Sequence, residues 1–210
     1  MRHSRDVGIS FPVVFPKDGN FSAPVAPLSI SGVGVEIEDV VTAATGISFL
    51  NITGMTMRGV DFPTDRPLMG PVHSFMVPLD LMQGFSVEGI NMRFNAGLFG
   101  YYSPGSEINH GHLNRSLAQH YDLAMVRSDM SHDQNPGGGF KFGSRIKIPV
   151  NDDFGITAGG NYYIGSSSLD LEGSYIGFSQ EQGFIESDVN FPDARLNYRL
   201  LELKVGVAFD

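Results

Sequence analysis

The sequence predicts an all-β chain closed into an antiparallel, up-and-down transmembrane β-barrel of 8 to 10 strands. Three observations carry this expectation. Apolar residues recur with period two through most of the chain. The apolar face of these segments is built from Phe, Tyr, Leu, Ile and Val, whereas the opposite face mixes Gly, Asn, Ser and Thr with charges of both signs. Charged residues make up only 18% of the chain, against about 25% in an average soluble domain, so material for a water-facing exterior is short.

Taken in order, candidate strands lie near 7–15 and over Val33, Val35 and Ile37, which oppose Gly34, Glu36 and Glu38. A third candidate spans 47–61. Phe75, Val77, Leu79 and Leu81 then oppose Met76, Pro78 and Asp80. Phe85 and Val87 continue the pattern, which slips by one residue near Gly89 and resumes with Met92, Phe94, Ala96, Leu98 and Tyr102. A slip at a glycine reads as a β-bulge. A weaker candidate covers 119–130. Phe140, Phe142, Ile146, Ile148 and Val150 oppose Lys141, Gly143, Arg145 and Lys147. Phe154, Ile156, Ala158 and Tyr162 follow, then Leu169, Leu171 and Tyr175 against Asp170, Glu172 and Ser174. The last strand sets Leu201, Leu203, Val205, Val207 and Phe209 against Glu202, Lys204, Gly206 and Ala208. Pro12, Pro16 and Pro78 weaken their local strands, because proline donates no ladder hydrogen bond.

Long polar connections are expected near 16–27, 63–71, 103–118 and 178–194, and short ones at Gln83-Gly84 and Ser166-Ser167. The link at 131–138 and the turn at Asn151-Asp152 depart from this alternation. Short turns at one end and long loops at the other suit a barrel of even strand number. Closure follows from lipid, where each unpaired backbone group costs several kcal/mol. No boundary or repeat divides residues 1–210, so one barrel domain is expected.

Composition excludes several classes. The formal net charge of −9 argues against nucleic acid, which needs a basic face. The absence of Cys removes disulfides and thiolate chemistry. No apolar run reaches the length of a transmembrane helix. No secretory signal precedes the first strand, so an exported chain implies that the signal has been removed.

The terminal stretch Tyr198-Arg199-Leu200-Leu201-Glu202-Leu203-Lys204-Val205-Gly206-Val207-Ala208-Phe209 resembles the C-terminal assembly signal of bacterial outer-membrane proteins. Asp210 stands behind the aromatic that usually comes last. The Gly-rich strand pairs also resemble small outer-membrane barrels of the OmpA, OmpX and OmpW type, although no Trp is present for an interfacial girdle. The resemblance implies a bacterial outer-membrane location, with outer-membrane lipids and lipopolysaccharide as surroundings. It implies the barrel assembly machinery as a partner, reading Leu203, Val205, Val207 and Phe209, and leaves room for other envelope proteins.

A narrow lumen must neutralise its charges. Glu36, Glu38, Glu88, Arg93, Lys141, Arg145, Lys147, Glu172, Glu202 and Lys204 are expected to meet there as an ion-pair network, since burying each alone would cost several kcal/mol. The competing possibility makes them the solvated face of a soluble, lipocalin-like binding protein. His110 and His112 form a His-Gly-His that could chelate a divalent metal weakly from an extended external loop; no other cofactor is expected. Ser128, Asp129, Ser131, His132 and Asp133, with His120, raise an outer-membrane hydrolase or acyltransferase as an alternative, but no catalytic signature accompanies them. The sequence therefore favours a non-enzymatic, structural or interaction barrel with a plugged lumen and partner-contacting loops, over a narrow channel for small solutes.

Overall fold

A computed structural model describes residues 5–14, 28–31, 34–37, 41–52, 56–64, 68–70 and 72–209. Alternate side chains of extended backbone leave on opposite faces, and the period-two segments accordingly become strands. These are β1 (Arg5–Val14), β2 (Leu28–Ser31), β3 (Gly34–Ile37), β4 (Val41–Thr45), β5 (Ile47–Ile52), β6 (Thr56–Arg58), β7 (Val72–Val87), β8 (Ile90–Tyr102), β9 (Met125–Gln134), β10 (Gly137–Pro149), β11 (Phe154–Ser179) and β12 (Gly183–Phe209). Among the described residues there is one helix, α1 (His110–Tyr121).

Among the described residues every pairing is antiparallel, and the pairings close on themselves. β1 pairs β12, which pairs β11, then β10, β8 and β7. β7 pairs β5, β5 pairs β2, and β2 returns to β1. β3 and β4 continue the wall positions of β2 and β5, and β9 continues that of β10 against β11. Among the described residues the wall thus has eight positions, a circumference whose interior side chains can fill. An even number returns the chain to its starting end, where Arg5 lies opposite Phe209.

Several connections differ from expectation. Glu88 and Gly89 have φ of 51° and 82° and form the two-residue turn between β7 and β8, a conformation whose twist matches its flanking strands. The slip at Gly89 is therefore a chain reversal rather than a bulge, and Gln83-Gly84 lies inside β7. Ser166-Ser167 lies inside β11, and most of 131–138 is strand. The segment 178–194 is no loop: it is the tip of the β11–β12 hairpin, turned over 180–182. The expected strand at 119–130 divides into the last turn of α1, a link and the start of β9. Residues 16–27 lie outside the described residues. The turn at Asn151-Asp152 stands as read.

β11 and β12 run for 26 and 27 residues, far beyond the roughly 9–11 that cross a membrane. Their side-chain polarity inverts along the way while the facing stays constant. In the lower part of β11, Ile156 and Ile164 are exposed on the outside and Thr157 and Tyr163 are buried within. Higher up, Leu169, Leu171 and Tyr175 are buried within, whereas Asp170 and Glu172 are exposed outside. Leu169, Leu171 and Tyr175 therefore do not continue the lipid-facing row. The lower part is a transmembrane barrel, apolar outside; the upper part is a water-facing head, apolar inside.

The outward band confirms this division. Leu79 and Leu81 are 60% exposed, and Phe140 is 66% exposed. A soluble barrel would bury such a face, so the lipocalin-like alternative fails. Replacing Leu203 in this band with arginine should cost about 2–4 kcal/mol near mid-depth. Glu172→Arg in the head should change stability by no more than about 0.5 kcal/mol. Urea unfolding in lipid vesicles measures both; equal costs would erase the boundary between band and head.

The buried core continues from the lumen into the head. Leu113 and Leu117 of α1 are buried with Leu68, Met69, Leu169, Leu171 and Leu196. Asn109 caps α1 by accepting from His112 N at 3.1 Å, and Asp122 closes it in the left-handed conformation.

Candidate functional site

The lumen is built in cross-strand rows that follow from the register. One row runs Asp80, Gly97, Lys141, Tyr163, Leu200. Lys141 Nζ donates to Asp80 Oδ2 at 2.5 Å, with both side chains 8% exposed. The pair spans the intervening strand because Gly97 presents no side chain there: a Cβ on Gly97 would lie 2.8 Å from Asp80 Oδ1 and 2.1 Å from Leu79 O. Lys141 Nζ also sits 5.7 Å from the centre of the Tyr163 ring, a favourable place for a cation.

The next row towards the termini runs Met82, Asn95, Gly143, Asn161, Glu202. Asn95 Nδ2 donates to Asn161 Oδ1 at 3.1 Å, again across a glycine. Asn161 Nδ2 and Tyr163 OH both donate to Glu202 Oε2, at 2.8 and 2.7 Å. Two neutral hydrogen-bond donors thus converge on the 2% exposed Glu202. A third row carries Arg93, Arg145 and Lys204. A cavity of about 90 Å³ lies among these rows, lined by Asp80, Arg93, Arg145, Glu202 and Lys204. On the head side of these rows lie Met76, Phe99 and Tyr101, all buried. Phe99 stacks edge-on against Tyr163 at 5.2 Å.

The structure therefore brings Arg93, Lys141, Arg145, Glu202 and Lys204 to the lumen face, and Lys147 to the same face one row nearer the termini, opposite Thr157. Glu36 pairs by its backbone with Thr42 in β3–β4, and Glu38 lies outside the described residues. Two residues expected in the lumen are elsewhere. Glu88 is exposed in a turn and Glu172 is exposed on the outside of the head, because the turn replaces the bulge and the polarity of β11 inverts. Asp80, Asn95, Asn161 and Tyr163 join the lumen beyond the expected set. A signal for them exists in the sequence: Asp80 is the single carboxylate of β7 and lies on the face opposite its large apolar residues, and Tyr163 shares the parity of Asn161. At the C-terminus, Leu203 and Val205 face outward, about half exposed; Val207 follows in the same strand and Phe209 pairs by its backbone with Arg5 and Phe154.

The histidines sit in the head. His110 and His112 occupy the first turn of α1, not an extended loop, and residues two apart on a helix do not face each other. Extended-chain chelation by this pair is thereby removed; among the described residues no cluster of three His, Cys, Asp or Glu forms. His110 Nδ1 lies 3.2 Å from Ser128 Oγ, but that hydroxyl donates to Asn114 Oδ1 at 2.6 Å. Ser106 Oγ and His132 Nε2 are 2.7 Å apart. Burial lowers the pKa of His132 from its ordinary value, partly countered by the Asp133 carboxylate and the hydrogen bond with Ser106, and the contact ties the 103–109 link to β9. Asp129 and Ser131 are exposed on the outer face of β9, and His120 packs edge-on against Tyr121 at 4.6 Å.

No protein-family model matches the sequence, and no curated protein matches it. The fold is similar to that of the outer membrane protein OprG from Pseudomonas aeruginosa, with a TM-score of 0.58 at 10% identity over 99% of this chain and 95% of that one. Weaker likenesses join it to Ail, the attachment invasion locus protein of Yersinia pestis (TM-score 0.41, 10% identity, 100% of each chain). Another joins it to a major outer membrane protein from Thermus thermophilus (TM-score 0.42, 11% identity, 98% of each chain).

Proposed function

We propose that this chain, a small β-barrel with the fold of an outer-membrane protein, is a non-conducting barrel of the bacterial outer membrane. Its lumen is a structural plug and its external head is the working surface. The observation that carries the reading is the layering of the interior. The Lys141–Asp80 pair and the Glu202 cluster lie directly below a buried layer of Met76, Phe99 and Tyr101, and the apolar head core lies above that. Ions crossing such a path would shed their hydration against apolar side chains, at a cost of several kcal/mol. The lumen rows thus support rigidity, and the tall hairpin of β11 and β12 supports contact with an outside partner. Outer-membrane lipids, lipopolysaccharide and the assembly machinery that reads the terminal strand belong to this reading as surroundings and biogenesis partners.

Planar-bilayer recording tests it. The purified barrel, shown folded by its heat-modifiable gel mobility, is expected to give no discrete current steps in molar salt. Reproducible unitary steps would replace this reading with the narrow channel, in which the row of Arg93, Arg145 and Lys204 would form the mouth.

A further inference from the structure

We infer that the outward face of the head, at the far end of the β9–β11–β12 sheet, docks a cationic polypeptide segment through an apolar anchor point. The inference rests on the interaction-barrel reading and names its partner class.

The geometry is a graded surface three strands wide. Met125, Phe178 and Phe184 stand in one cross-strand row at the tip. Phe184 is 77% exposed and Met125 66%, and Phe184 packs edge-on against Phe178 at 5.3 Å. Ile176 follows one row below, 46% exposed, between Arg127 and Glu186. The next rows are acidic. Ser174 lies between Asp129 and Asp188, and Glu172 between Ser131 and Asn190. Asp129, Glu172 and Asp188 share one shallow depression.

This tip is not part of the lipid band. From Ile164, the last lipid-facing position of β11, to Phe178 the strand advances 14 residues, about 46 Å at about 3.3 Å each. Ser166, Ser168, Asp170, Glu172 and Ser174 occupy the outer face between them, and no acyl chain covers such a stretch. Large apolar side chains at the outermost point of a water-facing head mark a contact surface. The acidic rows beneath decide what fits. They repel phosphate-bearing lipid surfaces and repel a second copy of the same face, and they attract lysine and arginine. A flat sheet face three strands wide suits an extended or helical polypeptide better than a small molecule.

The test uses the full chain in nanodiscs and a labelled synthetic peptide carrying two phenylalanines followed by alternating lysines. Binding is read by fluorescence anisotropy. The lysine peptide is expected to bind at least tenfold tighter than its glutamate counterpart, with affinity falling as salt rises. Phe184→Ser is expected to weaken binding about tenfold or more, as removal of an exposed aromatic anchor does. The triple change Asp129→Asn, Glu172→Gln, Asp188→Asn should weaken it and flatten its salt dependence. All variants should keep the heat-modifiable shift. Equal binding of both peptides, or preferential binding of phosphatidylglycerol vesicles that the same substitutions abolish, would overturn the inference. Conductance recorded on the same preparations separates the two claims. A silent barrel that ignores the peptide overturns the docking face alone. A conducting barrel that binds it supports the docking face and overturns the plug.

Discussion

Lys141→Met is expected to destabilise the barrel by about 3–5 kcal/mol, the usual cost of removing one partner of a buried ion pair. The size follows from what remains. Asp80 would be left at 8% side-chain exposure with neither oxygen partnered, because its Oδ1 already lacks a hydrogen bond among the described residues. Methionine keeps the length and packing of the lysine stem, so the loss reports charge rather than volume. Asp80→Asn in the same chain removes the stranded carboxylate and should restore a large part of the loss, since replacing a buried pair by neutral groups is often nearly neutral. Urea unfolding in lipid vesicles measures both variants. A single-variant loss below about 1 kcal/mol would show that water reaches the pair, and that the lumen is not plugged at this row.

Leu117→Ala should act on the head and spare the barrel. Leu117 is fully buried on α1 within the head core, where leucine truncation costs about 2–5 kcal/mol. The lower barrel wall is held by ladder hydrogen bonds that involve no residue of α1. The variant is therefore expected to open its head far more often, raising proteolytic cleavage in the 122–124 link by roughly 30-fold or more. Its heat-modifiable mobility should persist. Loss of that mobility together with head protection would mean that head and barrel unfold as one unit.

Much of this molecule is legible in the sequence, and the reason is local. A strand that faces lipid on one side and a narrow lumen on the other must alternate, so Phe140 to Ile148 and Leu201 to Val207 reveal their facing without any partner being known. The glycines of the lumen face are legible as small residues, but their purpose is not. Gly97 and Gly143 matter because of what crosses above them, from Asp80 to Lys141 and from Asn95 to Asn161, and those partners arrive from neighbouring strands. Glu172 shows the opposite failure. Its alternation with Leu171 is plain in the sequence, but alternation does not say which face is wet, and above the membrane the assignment reverses. The extended reading of the His-Gly-His stretch fails because the helical cap of Asn109 and the burial of Leu113 and Leu117 outweigh a weak local preference.

By itself the sequence determined the period-two strands, the lipid-compatible face, the closed-barrel class and the polar lining, since each depends on the chemistry of adjacent residues. Only the tertiary structure decided that the wall has eight positions, that Lys141 meets Asp80, and where lipid gives way to water along β11. Those outcomes depend on register and on which strands become neighbours, and an alternating pattern is the same in every register that differs by two residues.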